Sequence, residues 1–388
     1  MKRNEKHDEL YENQELELFE YQLTPEGLKL TWSDRTQAIF HPIWLRENSN
    51  HPDNRDPGTK LRITQAAFLP LDLTVKSVEC DNHGNLQLDF SDGHRCQYHH
   101  NELRQCFQNP RPHDLGSDRR YWDNSFLEFD RYDYRKLCHD DDTLLTLLNT
   151  VAEFGFAFVH RIPVEMDAVE HFAKRVGPIR ETNWGTVTDV HIIPNPYDLT
   201  MTALSLSPHV DNPYRLPGPG YIFMHCLKND AVGGESTLVD GFAAALKLKE
   251  IDSVAFETLT TIQPNFRHTE DTAILEDTGP IIELSEKGEI KRIRYSNRTE
   301  QVPPLDVEQL SRYYYARQAF ASIICSDEMT LKIKLTPGDG FVWDNYRILH
   351  GRTAFDPTTG ERHMRHCYMD RDTVSSRHKV LLRQRGWL

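Results

Sequence analysis

Short alternating runs dominate the first hundred residues. Leu28-Lys29-Leu30-Thr31-Trp32 and Asn85-Leu86-Gln87-Leu88-Asp89-Phe90 place apolar side chains at every second position, the period of a half-buried strand. Asp92-Gly93 and His83-Gly84-Asn85 supply turn chemistry. The polar stretch 48–58 (NSNHPDNRDPG) predicts a loop. Residues 108–116 (QNPRPHDLG) predict a linker, because their prolines block both helix and central strand. Beyond it the period changes. Leu144, Leu147, Leu148, Val151 and Phe154 recur at helical spacing, with Asp142 or Thr143 as the cap. A strand follows over 156–159, then a helix over 167–176 that Gly177-Pro178 stops. From Tyr221 strands and loops return, interrupted by helices over 243–250 and 307–321. The turn Pro337-Gly338-Asp339-Gly340 separates strands at 332–335 and 340–343. This order predicts a mainly β protein, a β-sandwich or jelly roll with flanking helices. It divides into a small β-rich N-terminal domain over 1–110 and a larger domain over 117–388.

Composition narrows the classes. Of 388 residues, 38% are hydrophobic and 10% aromatic, enough for a sizeable core. A formal net charge of −14 repels phosphate backbones and anionic lipid, which argues against nucleic-acid and membrane partners. No apolar run reaches bilayer-spanning length, and the N-terminal MKRNEKHDELYENQELE has no apolar signal region. The seven cysteines are scattered without a CxxC pair, which fits a reducing cytoplasm.

The candidate chemistry sits in two distant segments, Ser207-Pro208-His209-Val210-Asp211-Asn212-Pro213-Tyr214 and Leu349-His350-Gly351-Arg352. His209 and Asp211 are two apart, so an extended strand turns both to one face. His350 is the leading candidate for a third ligand from another strand. Two imidazoles and one carboxylate, with open positions left over, are the ligand set of non-haem Fe(II) oxygenases. Such an enzyme needs a two-electron co-substrate. A 2-oxo acid chelates the metal at one end, and its far carboxylate calls for a cation, best a bidentate arginine. Arg362 and Arg365 follow His350 on what reads as the next strand. Gly233-Gly234-Glu235-Ser236 offers close approach and a hydroxyl donor.

Several blocks in order resemble one family. They are Phe40-His41-Pro42-Ile43-Trp44-Leu45-Arg46-Glu47-Asn48, PHVDNPYR, GGESTLVDGF, Trp343-Asp344-Asn345 and LHGR. The chain is similar over nearly all its length to the γ-butyrobetaine and trimethyllysine hydroxylases, within the taurine-dioxygenase-like 2-oxoglutarate oxygenases. The resemblance implies a double-stranded β-helix catalytic domain, Fe(II), 2-oxoglutarate, O2, ascorbate as reductant, and a homodimer. It implies His209, Asp211 and His350 as iron ligands, Arg362 for the 2-oxoglutarate C5 carboxylate, Ser236 as the hydroxyl helper, and Arg365 as the second-choice arginine. It implies hydrogen abstraction from an unactivated C–H bond and hydroxyl rebound, with succinate and CO2 released.

Two departures from that family matter. Its members often carry an N-terminal zinc held by cysteines just after the WLRDN-like motif; here Ser49, Asn50, His51, Pro52, Asp53 and Asn54 follow, so zinc is not expected and His51 and His94 read as ordinary polar residues. The second concerns the substrate. Trp184 and Tyr368 match positions of the aromatic cage that holds a quaternary ammonium by cation–π attraction. Thr188 and Met201 stand where aromatics are usual, Asp198 replaces an asparagine, and Ser296 stands near another polar contact. Tyr197, Tyr214 and Tyr295 are further aromatic candidates. Asp198 is a candidate to attract a cation, and Arg294, Asn297 and Arg298 are candidates to meet an anionic end. The expected substrate is therefore a small betaine-like zwitterion, γ-butyrobetaine or a related trimethylammonium carboxylate or phosphonate. The competing readings are a jelly roll that binds a metal or small molecule without oxygenase activity, and a hydrolase using metal-activated water. Dependence on 2-oxoglutarate separates the first reading from both.

Overall fold

Burial follows the alternation where one face of a strand meets a core. The computed structural model describes residues 16–108, 119–125, 129–196 and 198–385. Nearly all of the 108–116 stretch read as a linker lies outside them. The chain forms two compact units, Met1–Asp114 and Leu115–Leu388.

The first unit holds two three-stranded antiparallel sheets. One comprises Leu18–Thr24, Gly27–Trp32 and Gln37–Phe40; the other comprises Val75–Cys80, Asn85–Phe90 and Arg95–His99. Asn85–Phe90 alternates cleanly, whereas Gly27–Trp32 is buried on both faces save at Lys29. Leu28, Leu30, Trp32, Leu86, Leu88 and Phe90 share one core. The polar 48–58 loop is not simply solvated. Asn54 is fully buried inside it, donating to Ser49 O at 2.7 Å and Glu47 O at 3.1 Å and accepting from Arg46 Nη1 at 3.1 Å. His94 Nε2 lies 3.0 Å from Ser49 Oγ.

Ten strands of the second unit form its two large sheets: β1 (Arg131–Asp133), β2 (Phe156–His160), β3 (Val187–Val190), β4 (Leu206–His209), β5 (Tyr221–Asn229), β6 (Ser236–Asp240), β7 (Leu331–Ile333), β8 (Gly340–Asp344), β9 (Ile348–Arg352) and β10 (Arg362–Met369). Six form one sheet in the order β1-β2-β8-β5-β10-β3, and four form another in the order β4-β9-β6-β7. All neighbours are antiparallel except β1 and β2. Phe156, Phe158, Ile222, Leu238, Phe341, Trp343, Ile348 and Met364 make one core from both sheets, so the sheets pack face to face. Helices cover the outer faces: α1 (Asp141–Phe154), α2 (Ala168–Val176), α3 (Gly241–Ile251), α4 (Ser253–Thr261), α5 (Val307–Ile324) and α6 (Arg371–Gln384). Val239 and Leu349 point outward into a second core with Phe242, Leu248, Phe256, Leu259, Tyr313 and Phe320.

Helix α1 begins earlier than its spacing implied. Asp140 is the cap, accepting from Asp142 N at 3.2 Å and Thr143 N at 3.0 Å, and Gly155 ends the helix at φ 83°. Helix α3 is capped by Asp240, which accepts from Phe242 N at 3.0 Å and Ala243 N at 3.2 Å. That carboxylate has a larger task. Arg347, fully buried, donates to it from Nε at 3.1 Å and Nη2 at 2.7 Å, while Nη1 reaches Glu153 O at 2.9 Å and Nη2 also reaches Arg120 O. The pair ties the end of β6, the start of α3, the end of α1 and the entry to β9. Removing one partner of such a pair leaves an uncompensated buried charge. Arg347→Met is expected to cost about 3–5 kcal/mol in urea unfolding, and Asp240→Asn in the same chain should recover part of it while keeping the helix cap.

Candidate active site

The antiparallel pairing of β4 and β9 sets His209 directly opposite His350. Directly opposed residues share a face, and the two imidazole centroids are 4.4 Å apart. β4 ends at His209, so Asp211 is not placed by strand alternation. It lies past the strand end and is fixed by a side chain from the β8–β9 turn. Asp211 N donates to Asn345 Oδ1 at 2.9 Å, and Asn345 Nδ2 returns to Asp211 O at 3.0 Å and Pro219 O at 3.1 Å. Asn345 thus imitates a strand neighbour at a place where no strand runs. Asn212 follows in a left-handed conformation, φ 49°, which asparagine tolerates and which turns the chain away.

The result is a compact ligand set. Asp211 Oδ1 is 3.4 Å from His209 Nε2 and 3.4 Å from His350 Nε2. Donors bonded to one ion at about 2.0–2.2 Å and at right angles are about 3 Å apart, so this set fits a divalent metal. Among the described residues it is the one cluster of three or more such groups. His209 Nδ1 is 2.8 Å from Ser207 O, which places the proton on Nδ1 and the lone pair on Nε2. Burial, then the neighbouring His350, pushes the His209 imidazolium down to about 4, so the ring is a neutral ligand at pH 7. Burial works to raise the Asp211 carboxyl, but His350 and His209 outweigh it and hold the group well below the ordinary range. Tyr368 OH donates to Asp211 Oδ2 at 2.9 Å, leaving Oδ1 to the metal side.

The two arginines after His350 part company. Along β10, Met364 and Tyr368 reach the core between the sheets, so Arg362 points inward with them. Arg365 takes the opposite face, across from His225 and Asp189, with Nε 3.8 Å from Asp189 Oδ1. It is not available as a substitute for Arg362; one residue of register decides this. Arg362 is buried, donates from Nε to Gly234 O at 3.3 Å, and has no carboxylate ion-pair partner among the described residues. Burial pushes its guanidinium down to about 10. Gly234 sits at φ 67°, and a Cβ there would stand 3.1 Å from Arg362 Cδ. Ser236 is buried on β6, two residues before the inward Leu238, so its hydroxyl faces the same interior.

A cavity of about 410 Å³ opens beside Asp211. Trp184, Thr188, Asp198, Met201, Tyr214, Ser296 and Tyr368 all line it. Tyr295 does not: its ring packs 5.8 Å from Phe320 in the outer core. Tyr197 lies outside the described residues. Asp198 is no free anion, since Arg298 Nη1 is 3.1 Å from its Oδ1 and the same oxygen accepts from Thr200 N at 2.8 Å. One face of the Trp184 indole already carries the Arg215 guanidinium, 5.0 Å from the ring centroid. Arg294 is also committed, to Asp277 and to Glu283 at 3.4 Å.

Several cavity residues were not singled out from sequence, among them His268 and His366. His268 stacks on Tyr214 at 5.1 Å and meets the edge of Trp184 at 5.2 Å. It arrives on the hairpin of Asn265–Glu270 and Ala273–Thr278, distant in sequence from Trp184 and Tyr214. His366 lines the cavity between the inward Met364 and Tyr368, so period two along β10 was a usable signal. Arg352 is a third addition. Buried opposite Ser236, it donates to the carbonyls of Leu199 (3.3 Å), Thr200 (2.9 Å), Thr202 (2.5 Å) and Leu204 (3.2 Å), binding the 199–204 wall, of which Leu199, Thr200 and Met201 line the cavity, to β9.

Comparison with known proteins places this geometry. Residues 120–368 match the taurine catabolism dioxygenase TauD, TfdA family, and residues 20–104 match the gamma-butyrobetaine hydroxylase-like N-terminal family. The gamma-butyrobetaine dioxygenase of Pseudomonas sp. (strain AK-1) is 34% identical over 366 residues, 92% of this chain and 94% of its own. The mitochondrial trimethyllysine dioxygenase of Gallus gallus is 28% identical, covering 93% of this chain and 87% of its own. An asparagine oxygenase solved with Fe(II), 2S,3S-3-hydroxyasparagine and succinate superimposes at TM-score 0.46 and 16% identity, over 62% of this chain and 94% of that one.

Groups that orient metal ligands are worth about 10–100-fold in metal affinity. Asn345→Ala is therefore expected to weaken Fe(II) binding by about that factor in anaerobic titration of the apo-protein. Unchanged affinity would show that Asp211 is held by other contacts.

Proposed function

Because the chain belongs to the taurine catabolism dioxygenase TauD, TfdA family, we propose that it is an Fe(II)- and 2-oxoglutarate-dependent dioxygenase. It hydroxylates an unactivated C–H bond of a small betaine-like zwitterion, γ-butyrobetaine or a related trimethylammonium carboxylate or phosphonate, and releases succinate and CO2. One observation carries the reading: a three-donor metal set and a buried arginine without a carboxylate partner face one interior. A metal-activated hydrolase needs the first and has no use for the second.

His209, Asp211 and His350 would hold the metal and leave positions open for co-substrate and O2. Bound there, Fe(II) supplies O2 activation, with the 2-oxo acid as the electron donor. Arg362 meets the far carboxylate of 2-oxoglutarate with a charge-assisted fork, and Ser236 donates to the same end. Tyr368 keeps Asp211 turned so that one oxygen faces the metal. Trp184, Tyr214 and Tyr368 present aromatic surface for a quaternary ammonium and help keep water from the reacting carbon. The two sheets are read as the halves of a double-stranded β-helix over 117–388, preceded by a small β-rich domain over 1–110. Ascorbate as reductant, a homodimer and a cytoplasmic setting complete the proposal; no helix among the described residues is long and apolar enough to cross a membrane. An N-terminal zinc is not part of it, because Ser49 and Asn54 close their loop with hydrogen bonds.

The test is succinate release with Fe(II), ascorbate and 2-oxoglutarate across trimethylammonium acids and their neutral isosteres. One cationic member should stimulate it, and His350→Ala should abolish that stimulation without unfolding the chain. Arg362→Ala should raise the 2-oxoglutarate requirement about 10–100-fold, the value of a lost charged hydrogen bond. Stimulation that survives His350→Ala, or turnover independent of 2-oxoglutarate, would remove the reading.

A further inference from the structure

We propose that His366 is a product-holding residue: its imidazole hydrogen-bonds the hydroxyl that the reaction installs, so the protein grips its hydroxylated product more tightly than the parent compound. The inference rests on the hydroxylase reading and adds to it a step after the chemistry.

His366 stands on the wall of the cavity beside Asp211. Along β10 it is the inward residue before Tyr368, whose OH reaches Asp211 Oδ2 at 2.9 Å, and successive inward residues of a strand are about 7 Å apart. Its ring meets the edge of Tyr368 with the centroids 5.1 Å apart. On β3, Thr188 lies directly opposite and lines the same cavity, so the two side chains share a face. The imidazole therefore flanks the space where a C–H bond beside the metal donors would be oxidised.

The ring has no protein group to bond there. It is 7% exposed, and neither Nδ1 nor Nε2 has a hydrogen-bond partner among the described residues. Burial holds its pKa below the ordinary histidine value, so at neutral pH it carries one N–H donor and one bare acceptor nitrogen. Buried polar groups are nearly always satisfied, which points to a partner that arrives with the ligand. The other cavity imidazole outside the metal set, His268, is a weaker candidate, because its Nε2 already lies 3.6 Å from Glu270 Oε2. A methylene chain offers His366 neither a donor nor an acceptor. A carbinol offers both. Hydroxylation makes that exchange: C–H becomes C–O–H while 2-oxoglutarate and O2 leave as succinate and CO2. The matching partner comes into being during turnover and favours the product complex over the substrate complex.

The test is calorimetric binding to the protein loaded anaerobically with Fe(II) and succinate. The probes are γ-butyrobetaine and the separate enantiomers of its 2-hydroxy and 3-hydroxy derivatives. One hydroxylated probe should bind about 3–10-fold more tightly than the parent, the value of one neutral hydrogen bond. His366→Leu should abolish that gain without lowering the melting temperature, since it replaces an unpartnered polar ring by apolar atoms. A residue kept only for structure would lower the melting temperature and leave the gain in place. His366→Gln should retain part of the gain. The assignment is overturned if no hydroxylated probe is favoured, or if the gain survives His366→Leu. It is also overturned if the favoured probe itself stimulates succinate release, which would place the hydroxyl on the substrate. Binding of none of the probes overturns it too, and succinate release across the wider panel of acids then decides the hydroxylase reading separately.

Discussion

The buried pair of Asp240 and Arg347 is the constraint on which the catalytic unit is arranged. Neither charge reaches solvent, so each exists only because the other is present. Desolvating two such ions costs several kcal/mol apiece, and only near-complete hydrogen bonding offsets it. Here the offset comes from six hydrogen bonds at once: two donors to the carboxylate from Arg347, two from the first turn of α3, and carbonyls at Glu153 and Arg120 that take the remaining guanidinium protons. Arg347 stands three residues before His350, so the same contacts that neutralise the charge fix where β9 enters the sheet. The metal ligand inherits its position from an ion pair on a neighbouring layer.

The ligand set itself combines two ways of fixing a side chain. His209 and His350 are placed by strand pairing, which is rigid and needs no extra groups. Asp211 lies where pairing has ended, and Asn345 supplies the two missing ladder bonds. Tyr368 then selects which carboxylate oxygen faces inward. Each of these positioning groups comes from β10 or the β8–β9 turn, and the two histidines come from the other sheet. A metal at this point would join the two layers of the sandwich.

Much of this was legible in the chain, and the failures have physical causes. The HxD spacing and the distant His350 were readable because few chemistries need that donor set, even though Asp211 is placed by an amide and not by the strand period. The choice between Arg362 and Arg365 follows from period two once the strand is known, since Met364 and Tyr368 mark the inward face. Tyr295 was mistaken for a cavity residue because an aromatic next to polar residues reads alike in a core or a cage; the packing of Phe320 decides it. Helix α6 carries only Val374, His378, Leu381 and Leu382 as its buried stripe, too sparse for periodicity to reveal. His268 was invisible for a different reason. Its partners Trp184 and Tyr214 meet it only after a long-range hairpin folds over the cavity, and no local pattern encodes that. The 48–58 stretch read as a loop from its polar, turn-forming composition, which does not reveal that Asn54 is buried there and hydrogen-bonds the loop from within.

Arg352 has a consequence for how such a protein can change. It fastens the 199–204 wall to the strand that bears His350, so that wall and the metal donors behave as a single rigid part. Insertions or substitutions there disturb the donor strand as well as the ligand fit, and selection acts on both together. The opposite wall, with Arg267, His268 and Thr269, rides on a hairpin whose Glu270 meets Trp184 and Asn183 near the surface. That side is free to vary without touching the metal donors. New substrate ranges in descendants of this chain should therefore arise by drift of the hairpin wall, with the 199–204 wall as the inherited, slowly evolving half of the pocket.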